Sequence, residues 1–382
     1  MKKIKNGKEL RKFLNFNYFG KELIMNKTIM HIVPAFRVGG AEVMVENLLI
    51  ELKRQNYNVI AVSFFNFHST ITEHLEKNGI PIEYLNKKHG FDIFSLLKLR
   101  NLILRVKPEV IHTHLYILEY VYAASIGIKT KIIHTVHNIA DKEVQGIRKK
   151  IRKLLFRFKK ITPIAISPIV QKSLSDLYGL SETHFPMVYN GINLKKCIKK
   201  NDYTLKNPIV FLSVGRLEEQ KNHLNLIRAF SDFSKECGDR IILNIIGEGS
   251  KRSELEETIK DLNCKESVFL LGEKEDIYKY LSETDIFILP SKWEGMPISL
   301  IEAMNSGVPI IASDVGGVPD MIENNLSGIL CSSDVLSIIN SFRIMLSLTT
   351  QQRSQMAMEA INRSYQFSAE NMCKNYLKIY FD

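Results

Sequence analysis

The sequence predicts an α/β protein made of two doubly wound, Rossmann-like domains that face a central cleft. Three observations predict it. Short, almost wholly apolar runs alternate with segments of helical period from residue 28 onward, as parallel strands buried on both faces and joined by helices would. The alternation breaks between 195 and 207, in a polar, lysine-rich stretch without period, which reads as a linker. A chain of 382 residues is long for one core and comfortable for two.

Thr28 to Phe36 is the first central strand. The loop Arg37-Val38-Gly39-Gly40 follows, then a helix from Ala41 to about Arg54. Further strands are expected at Val59–Phe65, Ile82–Leu85, Val110–His114, Lys131–Thr135 and Ile164–Ser167. Helices are expected at Ile71–Lys77, Ile93–Val106, Tyr116–Ser125, Gly146–Phe158 and Ile169–Leu177. Phe185 to Tyr189, with Asn190-Gly191, closes this domain. The second series has strands at Ile209–Val214, Ile241–Ile246, Val268–Leu271, Asp285–Leu289, Pro309–Ala312 and Gly328–Leu330. A last helix, Ala369 to Tyr380, is expected to pack back on the first domain. The division is a basic extension 1–24, a first domain 25–192, a linker 193–207, a second domain 208–362 and a C-terminal segment 363–382.

Charge is unevenly spread. Residues 1–190 carry 30 Lys and Arg against 15 Asp and Glu, and residues 191–382 carry 22 against 26. The basic first half suits an anionic partner: a nucleic acid, an anionic membrane surface or a diphosphate-linked acceptor. No zinc-finger, RNP or helix-turn-helix signature favours nucleic acid. The five cysteines are scattered without CxxC or metal spacing, as reduced thiols in a cytoplasm would be. No apolar run approaches the ~18 residues of a membrane span. Residues 1–24 are basic and lack the apolar core of a secretory signal, so they are read as an extension preceding Met25.

The most telling stretch is Ser291 to Glu302. A buried strand ends in a loop holding Glu294, Pro297 stands where a helix begins, and Glu302 lies about one turn inside that helix. Two carboxylates therefore bracket a helix N-terminus, whose free N–H groups attract an anion. Hydroxyls on the carboxylates and a diphosphate on the helix end would grip a sugar nucleotide. Arg216 and Lys221 follow the strand Ile209–Val214 on one strand-to-helix loop. They are either a pair that neutralises a diphosphate or a solvated pair beside Glu218 and Glu219. Gly39-Gly40-Ala41-Glu42 and Gly247-Glu248-Gly249 are tight turns after strands, and neither completes G-x-G-x-x-G. His112, His114, His134 and His137 lie on or after two strands. His137 stands where strand gives way to loop and can meet a ligand in the cleft. His112 and His114 are expected to share one face, and the four lack metal-ligand spacing. The segment Gly146 to Lys160 reads as a basic amphipathic helix with an apolar stripe of Ile147, Ile151, Leu154, Leu155 and Phe158. That stripe is expected to cover the sheet while the cations face outward, toward solvent or anionic lipid.

Taken together, these residues resemble the retaining glycosyltransferases of the GT-B fold, in the large family four. Glu294 to Glu302 within Trp293-Glu294-Gly295-Met296-Pro297 is the most specific part. Gly39 to Glu42, Gly215-Arg216-Leu217 with Lys221, Val188 to Ile192 and Ser313 to Asp320 fit the same pattern in order. The resemblance implies that Glu302 holds the ribose hydroxyls and Glu294 a hydroxyl of the transferred sugar. Arg216 and Lys221 would stabilise the diphosphate, helped by the backbone across Gly295, Met296, Pro297 and Ile298. Gly40 would approach it from the other domain, His137 would lie beside the sugar, and the base would rest near Gly247 and Gly272. It implies no cofactor and no divalent metal, a UDP-sugar as substrate, and a lipid-linked or oligosaccharide acceptor. Location in the cytoplasm, with peripheral contact on the inner face of the membrane, is the matching expectation. A nucleotide-sugar epimerase, a glycan phosphorylase and a non-catalytic glycan-assembly relative are the alternatives on the same fold.

Overall fold

The computed structural model describes residues 27–382 apart from 89, 91, 238 and 239. The basic extension expected at 1–24 lies outside the described residues. Each half of the chain builds a six-stranded sheet. The first comprises β1 (Thr28–Val33), β2 (Asn58–Ser63), β3 (Ile82–Tyr84), β4 (Val110–His114), β5 (Lys131–Val136) and β6 (Thr162–Ala165), in spatial order β3-β2-β1-β4-β5-β6. The second comprises β7 (Ile209–Val214), β8 (Ile241–Ile246), β9 (Val268–Gly272), β10 (Ile286–Leu289), β11 (Ile310–Ser313) and β12 (Ile329–Cys331), in order β12-β11-β10-β7-β8-β9. All neighbours pair in parallel. Both orders are that of the Rossmann fold, which reverses direction between β1 and β4 and between β7 and β10. Ligands of open parallel sheets collect beyond the carboxyl ends of strands at such reversals.

Three of the four strands flanking these reversals are buried along their length: every residue of β1, β4 and β10 is buried. That is why they read as unbroken apolar runs. The second lobe has its own core, in which Phe211, Phe230 and Phe342 pack edge to face. Another apolar core crosses the lobe boundary. It joins Ile29, Val33 and Ile166 of the first lobe to Met296, Ile298 and Leu300 of the second lobe and Met372 and Tyr376 of the last helix.

The chain passes between lobes twice, at Ile192 and again at Ser368. The two passages are hydrogen-bonded to each other: Ile192 N donates to Phe367 O at 3.1 Å and Ala369 N to Ile192 O at 2.8 Å. The helix Ala369–Phe381 then returns to the first lobe and packs on the helix Gly40–Arg54. Ser368 caps it by accepting from Asn371 N.

One expectation fails. In the basic helix, Ile147–Arg157, Leu155 alone of the expected stripe is buried. Ile147, Leu154 and Phe158 are 73, 56 and 64% exposed, and Ile151 is exposed as well. Leu155, Phe156 and Arg152 face inward instead. The reason is electrostatic: the buried Arg152 guanidinium reaches Glu119 and Glu143, each at 2.9 Å, which fixes the helix rotation.

The double crossing leaves no space for a side chain at Gly191, where a Cβ would sit 2.4 Å from Ser368 O and 2.9 Å from Met372 Cβ. Gly191→Ala is expected to lower unfolding stability by about 1–3 kcal/mol, measured by urea denaturation. An unchanged midpoint would mean that the two passages are not tightly apposed.

Candidate active site

The loop leaving β10 is seated from both sides. Within the second lobe, the Gly316-Gly317 turn lies flat against it: a Cβ on Gly316, at φ +57°, would fall 1.8 Å from Glu294 O, and one on Gly317 2.1 Å from Gly295 O. From the first lobe, Ser167 Oγ donates to Gly295 O at 3.1 Å and Asn190 Nδ2 to Met296 O at 3.0 Å. A Cβ on Gly295 would meet His137 O at 2.6 Å. Pro297 then caps the helix Ile298–Ser306, which Gly307 ends in the left-handed region at φ +71°. Gly40 stands across the boundary, with its Cβ position 3.7 Å from Ile298 Cγ1. The fold thus brings Gly40, His137, Gly295, Met296, Pro297 and Ile298 to one place.

Glu294 is 4% exposed and well anchored. Lys221 Nζ and Ser291 Oγ each donate to its Oε1 at 2.6 Å, and Gln220 Nε2 to its Oε2 at 3.3 Å. The lysine stem lies across Gly215, whose Cβ position is 3.0 Å from Lys221 Cε. Arg216 is exposed on the same loop. It acts electrostatically on Glu42, in the first turn of the helix Gly40–Arg54 of the other lobe. Burial pushes the Glu42 carboxyl up to about 7, against the pull of its own backbone N–H, Arg216 and Arg37.

Glu302 is placed differently. It is 5% exposed, and its hydrogen-bond partner is the Tyr278 hydroxyl at 3.3 Å. Burial raises its carboxyl to about 8, while Tyr278 and Lys196 oppose the rise. At the ends of β7, β8 and β9, the three glycines Gly215, Gly247 and Gly272 come together. Gly247 N donates to Gly272 O at 2.9 Å, and a Cβ on Gly247, at φ +143°, would strike Gly215 O at 2.1 Å. Gly272 is left-handed too, at φ +73°. No side chain fits at Gly247 itself, so the turn there is bare backbone.

The histidines divide. His134 pairs with Glu143 at 2.9 Å, next to Arg152, and belongs to the buried ion cluster under the basic helix. His137 is half-buried at the lobe boundary, and burial lowers its imidazole to about 4, leaving the ring neutral at pH 7. His112 and His114 do share a face, and β1 adds His31, which lies opposite His112 in register. Nitrogens of His31, His112 and His114 all lie within 4.8 Å of one another. Sequence reasoning passed over His31, although a histidine inside the apolar run Thr28–Val33 was its signal. It also passed over Tyr278, Gln220, Ser291 and Ser167.

The arrangement offers two carboxylates on either side of a helix N-terminus, with a lysine and an arginine beside them. It suits a ligand that carries hydroxyls at both ends and an anionic centre.

Comparison with known proteins agrees. Residues 38–196 match the family described as Glycosyltransferase Family 4, and residues 196–363 match that described as Glycosyl transferases group 1. The chain is 30% identical over 274 residues to the Escherichia coli UDP-Gal:alpha-D-GlcNAc-diphosphoundecaprenol alpha-1,3-galactosyltransferase, covering 65% of this chain and 69% of that one. It is 24% identical to the Bacillus anthracis N-acetyl-alpha-D-glucosaminyl L-malate synthase, covering 76% and 79%. Among solved structures, Anabaena Alr3699/HepE in complex with UDP-glucose superposes with a TM-score of 0.81 at 20% identity, covering 92% of this chain and 98% of that one. That likeness speaks for the fold, two Rossmann-like domains of GT-B type.

The state of Glu302 has a measurable effect on the free protein. Between the ordinary carboxyl value of 4.5 and about 8, the folded chain retains a proton that the unfolded chain releases. The stability this contributes is complete below 4.5 and is lost as pH rises through 8. Glu302→Gln should therefore lose less stability than wild type between pH 5 and pH 8 in urea denaturation. Parallel losses would place the Glu302 carboxyl near its ordinary value.

Proposed function

The chain belongs to the group 1 glycosyl transferases, and from that membership we propose that it moves a hexose or N-acetylhexosamine from a UDP-sugar to a lipid-linked or cell-surface glycan, with retention of configuration and without a metal. The observation that carries this reading is the Glu294–Lys221 pair, its carboxylate buried, beside the tip of the helix Ile298–Ser306. Glu302, which accepts a long bond from Tyr278, receives the ribose hydroxyls. The base rests against the backbone near Gly247 and Gly272. Glu294 accepts from hydroxyls of the transferred sugar, and Lys221, released toward the diphosphate, joins Arg216 and the helix N-terminus in holding the negative charge that grows as the leaving group departs. These cations and N–H groups do the work that a divalent ion does elsewhere.

Retention follows from a same-face displacement. The acceptor hydroxyl bonds to the anomeric carbon from the side that the diphosphate leaves, the carbon–oxygen bond to the diphosphate breaks, and the departing phosphate oxygen takes the hydroxyl proton. A two-carboxylate double displacement needs a nucleophile about 5 Å from its acid partner on the opposite sugar face. Glu294 is already engaged by Lys221, Ser291 and Gln220.

A lipid-linked acceptor is supported by the E. coli relative, which is named for a diphosphoundecaprenol substrate. It is supported again by the basic helix of the first lobe. Ile147, Leu154 and Phe158 stand exposed among Lys149, Lys150, Lys153 and Arg157, and Phe94 is 73% exposed on the same lobe. Apolar side chains set in a cationic face suit the headgroup region of an anionic bilayer. Among the described residues, no helix is long and apolar enough to cross a membrane.

Two outcomes test this. A screen of nucleotide sugars by thermal shift should find a UDP-sugar that raises the melting point, and Lys221→Ala should cut its transfer rate by about a hundredfold, the scale for removing one preorganised charge donor. Full activity in Lys221→Ala would sink the charge argument. Separately, Ile147→Glu with Leu154→Glu should abolish flotation with phosphatidylglycerol vesicles. Wild-type chain that fails to float at low salt would remove the membrane reading.

A further inference from the structure

Beneath the cleft, a file of hydrogen bonds runs from the C-terminal helix to His137. Tyr376 OH meets Thr135 Oγ1 at 2.8 Å, and Thr135 Oγ1 meets His112 Nε2 at 2.7 Å. His112 Nδ1 meets Tyr380 OH at 2.6 Å, and the same hydroxyl meets His31 Nε2 at 3.3 Å. His31 Nδ1 meets His114 Nε2 at 3.1 Å, and His114 Nδ1 meets His137 Nε2 at 3.0 Å. Every member is buried except His137, which is half-buried at the lobe boundary. Both ring nitrogens of His31, His112 and His114 are thereby spent, and so is Nε2 of His137. Nδ1 of His137 is the ring nitrogen left over among these four.

The protons of such a file are not independent. A neutral imidazole has one N–H and one lone pair, and a hydroxyl has a single proton to give. Burial keeps His31 near 3 and His137 near 4 and holds His112 and His114 well below the ordinary value, so all four rings are neutral at pH 7. A direction fixed at one end therefore reaches the other. The far end fixes it. Tyr376 OH has no partner but Thr135 among the described residues, and a buried O–H without an acceptor is costly. Tyr376 donates to Thr135, Thr135 to His112 Nε2, and His112 Nδ1–H to the Tyr380 oxygen. Tyr380 donates to His31 Nε2, His31 Nδ1–H to His114 Nε2, and His114 Nδ1–H to His137 Nε2.

We propose that Tyr376, Thr135 and Tyr380, acting through His112, His31 and His114, hold His137 as its Nδ1–H tautomer, so that it offers the transferred sugar a hydrogen-bond donor and not a base. These are positioning residues. The use made of the tautomer rests on the transferase reading above, but the tautomer itself does not. The grouping of His31, His112 and His114 also resembles a metal cluster, but a metal there would take the lone pairs on which the file is built.

Histidine-selective 15N NMR of the ligand-free protein tests the file directly. In wild type, His137 should show a protonated Nδ1 and an unprotonated Nε2. In Tyr380→Phe, the two shifts should converge as the direction is lost. If that variant does not fold, Thr135→Val, which is isosteric, cuts another link and should do the same. In transfer assays, Tyr380→Phe should lower kcat by about tenfold, the scale of one lost hydrogen bond, with KM for the nucleotide sugar unchanged. It should have no further effect in a His137→Ala background. An Nε2–H tautomer in wild type, unchanged His137 shifts in folded variants, effects that add fully to His137→Ala, or stoichiometric zinc binding that moves the His31, His112 and His114 signals would each overturn the proposal. A chain without transferase activity would fail the reading above, and the NMR measurement would still decide the tautomer.

Discussion

The cleft depends on how the backbone from Glu294 to Met296 is seated. Gly316 and Gly317 press on it from its own lobe with no room for a Cβ, while Ser167 and Asn190 of the other lobe donate to its carbonyls. With the carbonyls engaged outward, the chain turns through Pro297 into a helix that no side chain caps. Glu294 is held in place by the same loop, and Lys221 reaches it over a glycine that lacks the carbon to block the way. The glycines here are sites of contact between backbones, and each close approach leaves a surface too tight for any side chain.

The two carboxylates are set apart by their surroundings. Glu294 sits among a lysine, a hydroxyl and an amide, so its charge is satisfied before any ligand arrives. Glu302 has a tyrosine hydroxyl at the edge of hydrogen-bond range and is pushed toward the neutral form. Hydroxyls donated to Glu302 by a ligand would favour its charged form, against the effect of burial. Such divergent environments for two similar groups mark a division of labour between them.

Much of this was legible in the sequence because the informative signals are local. A buried run, a proline and a helical period place Glu294 in a loop and Glu302 in a helix without reference to the rest of the chain. The alternation of strands and helices gave the two lobes in the same way. What is not local was not legible. The bond between Tyr380 and His31 joins residues 349 apart in sequence, and it exists because the last helix returns to the first sheet and because β1 and β4 are neighbours. The basic helix shows another limit. It has apolar residues on more than one face, and its rotation is decided by Arg152 meeting Glu119 and Glu143, carboxylates that lie on other elements. Periodicity alone cannot rank those faces.

The paired passages at Ile192 and Ser368 constrain movement as well as position. A single covalent tether would let one half of the molecule twist, tilt and slide against the other. Two tethers running side by side and laced by backbone hydrogen bonds act as the leaf of a door hinge: they bend readily about one line and resist torsion. Any movement of one half against the other would thereby be guided along one arc, and each return would bring the same atoms face to face.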